Sequence, residues 1–136
     1  MDEMKVWELV EPPLGRKLVS NHWVFEFKTN DQKGGVCCKA CLVAQGFSQV
    51  LGIDFHQTYT PVTCQVSIKL LVALAAMLDW ELDCLDTKRA FLHGKLKEDI
   101  YMKQPRGFKQ YSTSGILLVC YLLSSLYGLK QAALNW

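Results

Sequence analysis

Apolar residues recur along the chain with two different periods, which predict strands in the first third and a helix in the middle. Residues 22–28 are aromatic and β-branched and predict a strand. The segment 29–35 is rich in Asn, Asp and Gly and predicts a turn, after which residues 36–45 predict the returning strand of a hairpin. Within residues 67–78, leucines recur every three or four positions, which predicts a helix with Ser67 as its N-cap.

The second half of the chain mixes short elements. Residues 80–87 alternate apolar and polar side chains and predict a strand. We expect a turn or helical piece at 90–94, strands at the end of 95–102 and over 116–123, and the start of a helix at 129–136. Residues 46–60 and 104–107 read as irregular. Helices and strands are mixed without regular βαβ alternation, so the predicted fold class is α+β.

Charge is unevenly distributed, although the net charge of the 136 residues is only +2. Residues 16–49 carry five basic and two acidic side chains, a net +3, and residues 86–109 carry seven basic and three acidic ones, a net +4. If folding brings the two blocks together, they form a basic surface suited to phosphates. The alternative is two separate solvated faces. The length itself predicts one domain.

The six cysteines and the apolar runs limit the class of protein. Cys38 and Cys41 form a C-x-x-C pair that could begin a zinc site, but a second ligand pair at a familiar spacing is missing, so free thiols on a strand are favoured. We find neither a secretory signal nor an apolar run of the roughly 20 residues that a spanning helix needs. We therefore expect a cytoplasmic or nuclear protein without a membrane partner.

Asp86 is the leading candidate for chemistry. It ends the predicted strand 80–87, whose apolar residues Leu82 and Leu85 are expected to be buried. A carboxylate in such surroundings is costly unless it is paired or binds a metal. One interpretation is a magnesium ligand, with Lys88 and Arg89 near bound phosphates. The other is an aspartate that caps the following turn.

Six blocks of sequence, in order, resemble the reverse transcriptase of copia-type LTR retrotransposons. The most extensive is LDTKRAFLHGKLKEDIYMKQPRGF at residues 85–108. The others are NHWVF (21–25), KACLVAQGFSQ (39–49), GIDF (52–55), TYTPV (58–62) and SLYGLKQ (125–131). Together they cover the chain from about residue 7 to residue 136. The resemblance implies a partial right-hand polymerase, with residues 1–136 as a truncated domain, 16–49 as the fingers hairpin and 67–136 as a partial palm.

The resemblance also implies roles for single residues. Asp86 matches the first catalytic aspartate, a ligand of the catalytic Mg²⁺ ions, and the backbone carbonyl of Thr87 would help to hold a metal. The resemblance also matches residues to positions that bind substrates. Those that would bind the nucleotide are Lys39, Arg89, Ala90 and Phe91. Those that would bind the template–primer are Lys130 and Gln131. Surface charge is the alternative for Lys39 and Arg89, and core packing is the alternative for Phe91.

The implied partners are an RNA or DNA template–primer, a deoxynucleoside triphosphate and the rest of the Pol polyprotein. Cys41 stands where the family has an arginine. The family's second catalytic block contains an Asp-Asp pair, which these 136 residues lack. Two-metal phosphoryl transfer needs more than one carboxylate, so we expect this chain alone not to polymerise DNA. The alternative is a non-catalytic nucleic-acid-binding remnant or a decayed open reading frame.

Overall fold

A computed structural model of the chain describes residues 4–30, 35–60 and 63–136. It contains five strands and two α-helices among these residues, with short 3-10 turns between them. The mixture of strands and helices agrees with the predicted α+β class. Within the described ranges, no helix combines the length and the apolar character needed to cross a membrane.

The predicted hairpin is present and is longer than expected. Strand β2 (Asn21–Asn30) pairs antiparallel with β3 (Gly35–Ala44), from Asn21 opposite Ala44 to Asn30 opposite Gly35. Residues 29, 30 and 35, which were assigned to the turn, lie in the strands, because their backbone pairing continues past the last apolar residues. The rest of the predicted turn, 31–34, lies outside the described residues.

A second sheet carries most of the core. Strand β5 (Val119–Leu122) is central and pairs antiparallel with β1 (Trp7–Val10) on one side and with β4 (Tyr101–Met102) on the other. β5 lies within the predicted strand 116–123, and β4 ends the predicted segment 95–102. We call β1, β4 and β5 the packed sheet. Its core includes side chains that are at most 1% exposed, namely Val6, Val19, Ile100, Met102, Cys120, Leu122 and Leu126.

Helix α1 (Gln65–Met77) is confirmed, but its start was predicted wrongly. Cys64 is the N-cap, and Ser67 lies within the first turn, where its hydroxyl is 3.2 Å from the Cys64 sulfur. The helix begins earlier because Gln65 and Val66 continue the regular backbone ahead of the leucine repeat. Only Ala75 of this helix is buried; the leucines of the predicted core face are exposed, including Leu71 at 57%.

The predicted strand at residues 80–87 is absent from the described structure, where this segment has no regular secondary structure. Its apolar side chains are exposed, with Leu82 at 62% and Leu85 at 94%. Alternation alone does not make a strand, because its backbone needs a neighbour to bond. In the packed sheet, β1 and β4 already occupy both sides of β5. We call residues 63–89 the open arm.

The short elements near the carboxyl end follow the prediction. The predicted turn or helical piece at 90–94 is a 3-10 helix at Ala90–His93, and the predicted terminal helix is one turn, α2 (Ala132–Asn135). The loop over residues 104–107 is also present, and Gly107 adopts the positive φ of 93° that its turn requires.

The six cysteines are free thiols, and Cys37, Cys38 and Cys41 lie on β3. Cys38 and Cys41 are separated by an odd number of positions, so their side chains leave opposite faces of the strand.

Candidate functional site

Asp86 lies in the exposed final part of the open arm, and so does Thr87. The burial expected from its apolar neighbours is wrong, because Leu82 and Leu85 face solvent. The desolvation argument for Asp86 therefore does not apply in this arrangement. What remains is an accessible carboxylate immediately before the point where the arm joins the rest of the chain.

Arg89 is that junction. Its backbone is left-handed, with φ 58° and ψ 38°, and it caps the 3-10 helix Ala90–His93. A non-glycine residue in this conformation is uncommon, so surrounding structure must hold it there. Leu92 N–H donates to the Arg89 carbonyl at 2.9 Å, and an Arg89 Nη1 group lies 3.9 Å from the sulfur of Met4.

Phe91 anchors the junction to the packed sheet. Its ring is half-buried and meets the Tyr127 ring edge-on, with centroids 4.9 Å apart. It also packs against the main core, beside the half-buried Ala90. Core packing thus explains why part of the Phe91 ring is buried. The predicted contact of this ring with the nucleotide sugar stays a prediction.

Lys39 lies on the hairpin, directly opposite Glu26. Its ammonium group is 4.0 Å from the Glu26 carboxylate, and both side chains are more than half exposed. A pair this long and this exposed contributes little to stability. Lys39 is therefore free to exchange Glu26 for a phosphate, which leaves its predicted role open.

Lys130 and Gln131 belong to different environments although they are adjacent. The Lys130 ammonium lies 4.5 Å from the centre of the Phe55 ring, a cation–π contact, and the residue is exposed. Gln131 is 1% exposed; its amide donates to the Asp54 carbonyl at 2.8 Å and accepts from the Gln49 amide at 3.0 Å. In this arrangement the Gln131 side chain stabilises the fold, and Lys130 is the one that faces solvent.

The block at 39–49 docks on the block at 125–131 through backbone contacts. Ala44 N–H donates to the Tyr127 carbonyl and Gly46 N–H to the Gly128 carbonyl. A methyl group on Gly46 would collide with the Gly128 carbonyl, and one on Gly128, whose φ is 89°, would collide with the Ala44 carbonyl. The two glycines thus permit a close backbone approach that other residues would prevent.

The two basic blocks meet in the structure. The Asn21 side-chain amide donates to the Lys103 carbonyl, and the Trp23 indole N–H donates to the Arg106 carbonyl at 3.3 Å. These contacts lay the exposed loop 103–109 beside the first residues of β2. The two blocks therefore touch through the uncharged side chains of Asn21 and Trp23, and a shared basic surface stays a prediction.

Among the residues that the structure describes, three groups have shifted pKa values, and all three lie outside the predicted site. Burial raises the pKa of the Cys120 thiol to about 11. A hydrogen bond from the Tyr121 hydroxyl to Asp99, 2.8 Å long, raises the pKa of that tyrosine. The hydroxyl of Ser67 lowers the pKa of the exposed Cys64 thiol. Of the three, only Cys120 is buried, and it underlies a cavity of about 530 Å³ lined by Trp7, Trp23 and Phe108.

The residues that the structure describes do not form a complete magnesium centre. Among residues 4–30, 35–60 and 63–136, no three His, Cys, Asp or Glu side chains are grouped so as to hold a metal ion. Asp86 offers one accessible carboxylate, and Mg²⁺ takes one or two carboxylates with phosphate oxygens and water. We therefore assign no catalytic step to a metal here.

Sequence reasoning missed the Gln49–Gln131–Asp54 network and the contact between Gly46 and Gly128. Both join blocks that are about 80 residues apart, with 82 positions between Gln49 and Gln131. The glycines and glutamines of the blocks 39–49 and 125–131 were the available signal, since such residues can mark close backbone approach and buried polar pairing.

Comparison with known proteins identifies the family. Residues 4–136 match the family model described as reverse transcriptase (RNA-dependent DNA polymerase). Over 130 residues, the chain is 46% identical to the retrovirus-related Pol polyprotein from transposon TNT 1-94 of Nicotiana tabacum, covering 96% of this chain. It is 39% and 37% identical to the corresponding Pol polyproteins from transposons RE1 and RE2 of Arabidopsis thaliana, again over 96% of the chain.

The chain spans only about a tenth of these relatives, with 10% of the tobacco protein and 9% of each Arabidopsis protein covered. No solved structure matches it. The family match nevertheless takes in nearly every described element, from the residues before β1 to α2. The chain belongs to the reverse transcriptase (RNA-dependent DNA polymerase) family.

Proposed function

We propose that this chain is the fingers and the first half of the palm of a copia-type reverse transcriptase, and that it does not polymerise DNA by itself. In this proposal residues 16–49 are the fingers hairpin and residues 67–136 the partial palm. The observation that carries it is the family match over residues 4–136. The hairpin β2–β3 lies within residues 16–49, and strands β4 and β5 of the packed sheet lie within residues 67–136, which supports this division.

The proposed chemistry centres on Asp86 as a magnesium ligand, assisted by the Thr87 carbonyl. Arg89 and Ala90 would meet the triphosphate through their N–H groups, and Phe91 would face the sugar. The accessible position of Asp86 supports this, because a metal ligand must reach solvent and substrate. Phe91 packs against the core, and Arg89 lies two residues before it at the start of the same 3-10 helix.

The proposed lack of independent activity follows from the number of carboxylates. Two metal ions about 4 Å apart need several anionic ligands, and the sequence contains no Asp-Asp pair. In the described structure Asp86 also lies on an arm whose apolar residues are uncovered. A template–primer could still bind through the exposed side chains of Lys103, Arg106 and Lys109, which we call the basic edge.

Primer extension on an RNA template tests the proposal. The purified 136-residue chain, with Mg²⁺ and all four deoxynucleoside triphosphates, is expected to yield no product above the background of an Asp86→Ala control. Magnesium-dependent synthesis that the Asp86→Ala change abolishes would overturn the proposed inactivity.

A non-catalytic nucleic-acid-binding role is the second candidate, and the exposed basic side chains of Lys103, Arg106 and Lys109 favour it. Affinity for a primer–template duplex, measured by fluorescence anisotropy, is expected to fall as salt rises, because bound phosphates release counterions. An affinity that does not change with salt would contradict binding through the basic edge.

A further inference from the structure

A cavity of about 620 Å³ lies where four distant parts of the chain meet. Its walls are formed by Arg16, by residues 53, 56 and 57, by residues 97–99 ahead of β4, and by the end of α2. Its volume falls within the range of small-molecule sites, roughly 300–1,000 Å³. Most of its wall consists of charged or polar side chains, and we call it the ionic cavity.

Hydrogen bonds within the chain hold the walls of the ionic cavity in place. The Tyr121 hydroxyl donates to the Asp99 carboxylate at 2.8 Å, which fixes the wall at residues 97–99. Gln131, the cap of α2, donates to the Asp54 carbonyl at 2.8 Å and so joins the wall of α2 to the wall that begins at residue 53. The cavity is therefore largely formed before a ligand arrives, which lowers the entropic cost of binding.

Glu98 carries the atom that indicates what the ionic cavity binds. Its side chain is half-buried, and its Oε2 atom is shielded from solvent without a hydrogen-bond partner. Among the residues that the structure describes, no other buried side-chain oxygen or nitrogen lacks a partner. A buried carboxylate oxygen without a donor is costly, and its attraction for a cation is screened less than that of an exposed one. Glu98 therefore favours a ligand with a positively charged N–H donor.

An organic cation suits this carboxylate better than a metal ion does. His56, Glu98 and Asp99 all line the cavity. Over residues 4–30, 35–60 and 63–136, however, no three His, Cys, Asp or Glu side chains are grouped so as to hold a metal. An ammonium group carries three N–H donors and can bind a single carboxylate.

The cations of the cavity wall indicate that the ligand also carries a negative charge. Arg16 and Lys97 line the same cavity and are exposed. Within the described part of the chain, neither has a carboxylate oxygen within 4.0 Å. Their two positive charges balance the negative charges of Glu98 and Asp99. A ligand with only a positive charge would be repelled by Arg16 and Lys97, whereas a ligand with both charges is attracted by each pair.

We propose that the ionic cavity binds a small organic zwitterion, with its ammonium group on Glu98 and its carboxylate on Arg16 and Lys97. This goes beyond the proposed function. The residues that line the cavity do not include Asp86 or any residue proposed to bind the nucleotide or the template–primer.

An NMR titration of the full 136-residue chain, labelled with nitrogen-15, tests this. The probes are three linear amino acids of increasing length, namely glycine, 4-aminobutyrate and 6-aminohexanoate. At least one of them is expected to shift the amide resonances of residues 97–99 and 134–135 saturably, with a Kd of about 1 mM. If none of the three shifts these resonances, or if the shifts lie elsewhere in the chain, the proposal is overturned.

Two probes with a single charge test the need for both charges. Hexylamine has only the ammonium group, and hexanoate has only the carboxylate. Each is expected to bind at least about threefold more weakly than the best amino acid, because each leaves one pair of wall charges without a partner. Equal binding of hexylamine and the best amino acid would contradict a zwitterionic ligand.

Substitution of Glu98 tests the residue that carries the proposal. Glu98→Gln keeps the shape of the side chain and removes its charge, so binding of the best amino acid should weaken at least about tenfold. Glu81→Gln is the matched control, since it removes an exposed carboxylate of the open arm outside the cavity. It should change the affinity less than about twofold. Equal effects of the two substitutions would overturn the assignment of Glu98.

Substitution of both wall cations tests the other end of the ligand. Arg16→Gln combined with Lys97→Gln should reduce the preference for the best amino acid over hexylamine to less than about twofold. Both side chains are exposed, so the change should leave the fold intact, which circular dichroism checks. An unchanged preference would contradict the contact of the ligand carboxylate with Arg16 and Lys97.

Discussion

The packed sheet and the open arm treat their apolar residues in opposite ways. In the packed sheet, β5 is covered by its neighbours, and Leu122 and Cys120 are at most 1% exposed. In the open arm, helix α1 buries only Ala75, and Leu85 beside Asp86 is 94% exposed. A helix that is apolar on most of its surface belongs inside a larger structure.

Stability and the proposed chemistry therefore reside in different parts of this chain. The packed sheet and its docked glycine blocks form a core from described residues alone. The open arm carries the proposed metal ligand and makes little use of that core. We infer that substitutions in the sheet mainly change the free energy of unfolding, and that substitutions in the arm mainly change what the arm binds.

Removing a core leucine is expected to have the largest effect. Leu126 is fully buried, so Leu126→Ala should lower the free energy of unfolding by about 2–5 kcal/mol through lost burial and a cavity. Leu71→Ala, in the arm, should change it by less than about 0.5 kcal/mol. Urea denaturation followed by circular dichroism measures both. Equal losses in the free energy of unfolding at the two positions would contradict the difference in packing between the packed sheet and the open arm.

Obstructing the close approach of Gly128 to Ala44 is expected to lower the free energy of unfolding by nearly as much. Gly128→Ala puts a methyl group against the Ala44 carbonyl at a φ of 89°, and we expect a loss of about 3 kcal/mol. Gly107→Ala is the control, because its φ is 93° and nothing lies within 4 Å of the added carbon. That variant should lose only the backbone strain, about 1–2 kcal/mol. If the two variants lose the same stability, the close approach of Gly128 to Ala44 is not what stabilises the docking of the two blocks.

Alkaline pH should weaken the sheet through Cys120. Burial raises the pKa of this thiol from 9.0 to about 11, so the neutral thiol is favoured in the folded state. The neutral thiol contributes fully to the free energy of unfolding below pH 9, and this contribution is lost as pH rises towards 11. The loss is about 1.4 kcal/mol per unit of pKa difference, or about 2–3 kcal/mol in all. Subtracting the pH profile of Cys120→Ala removes the titration of other groups. A difference that stays flat between pH 9 and pH 11 would contradict the burial of this thiol.

The buried glutamine should give a smaller loss. Gln131→Ala removes the hydrogen bonds to Gln49 and to the Asp54 carbonyl, and we expect a cost of about 1–2 kcal/mol. Gln57→Ala removes an exposed glutamine and serves as the control. Thermal denaturation at neutral pH compares the two. A cost for Gln131→Ala that does not exceed that of Gln57→Ala would mean that the network adds nothing to the docking of the two blocks.

The elements that the sequence predicted correctly are those with a strong local pattern, among them the hairpin β2–β3, helix α1 and the apolar strand β5. The hairpin β2–β3 and helix α1 need only local periodicity and a turn, and both were found. The strand at 80–87 failed because its alternation says nothing about whether a neighbouring strand exists. The N-cap failed by three residues because Cys64 is a less usual cap than Ser67.

The candidate site divides in the same way. Motif order identified the family and singled out Asp86, since family blocks are read directly from the residues. The exposure of Asp86, the left-handed backbone of Arg89 and the burial of Gln131 depend on packing across the chain. Local patterns do not contain that information.

A chimera with a longer relative tests the proposed role of Asp86 as the metal ligand. This chain replaces the matching segment of the tobacco transposon Pol polyprotein, to which it is 46% identical. Magnesium-dependent primer extension is expected from the chimera, with Asp86→Asn lowering the rate about a thousandfold and Asp83→Asn, a nearby exposed carboxylate in the same arm, leaving it within about threefold. A chimera that stays active with Asp86→Asn, or that is equally impaired by Asp83→Asn, would contradict the assignment of Asp86 as the metal ligand.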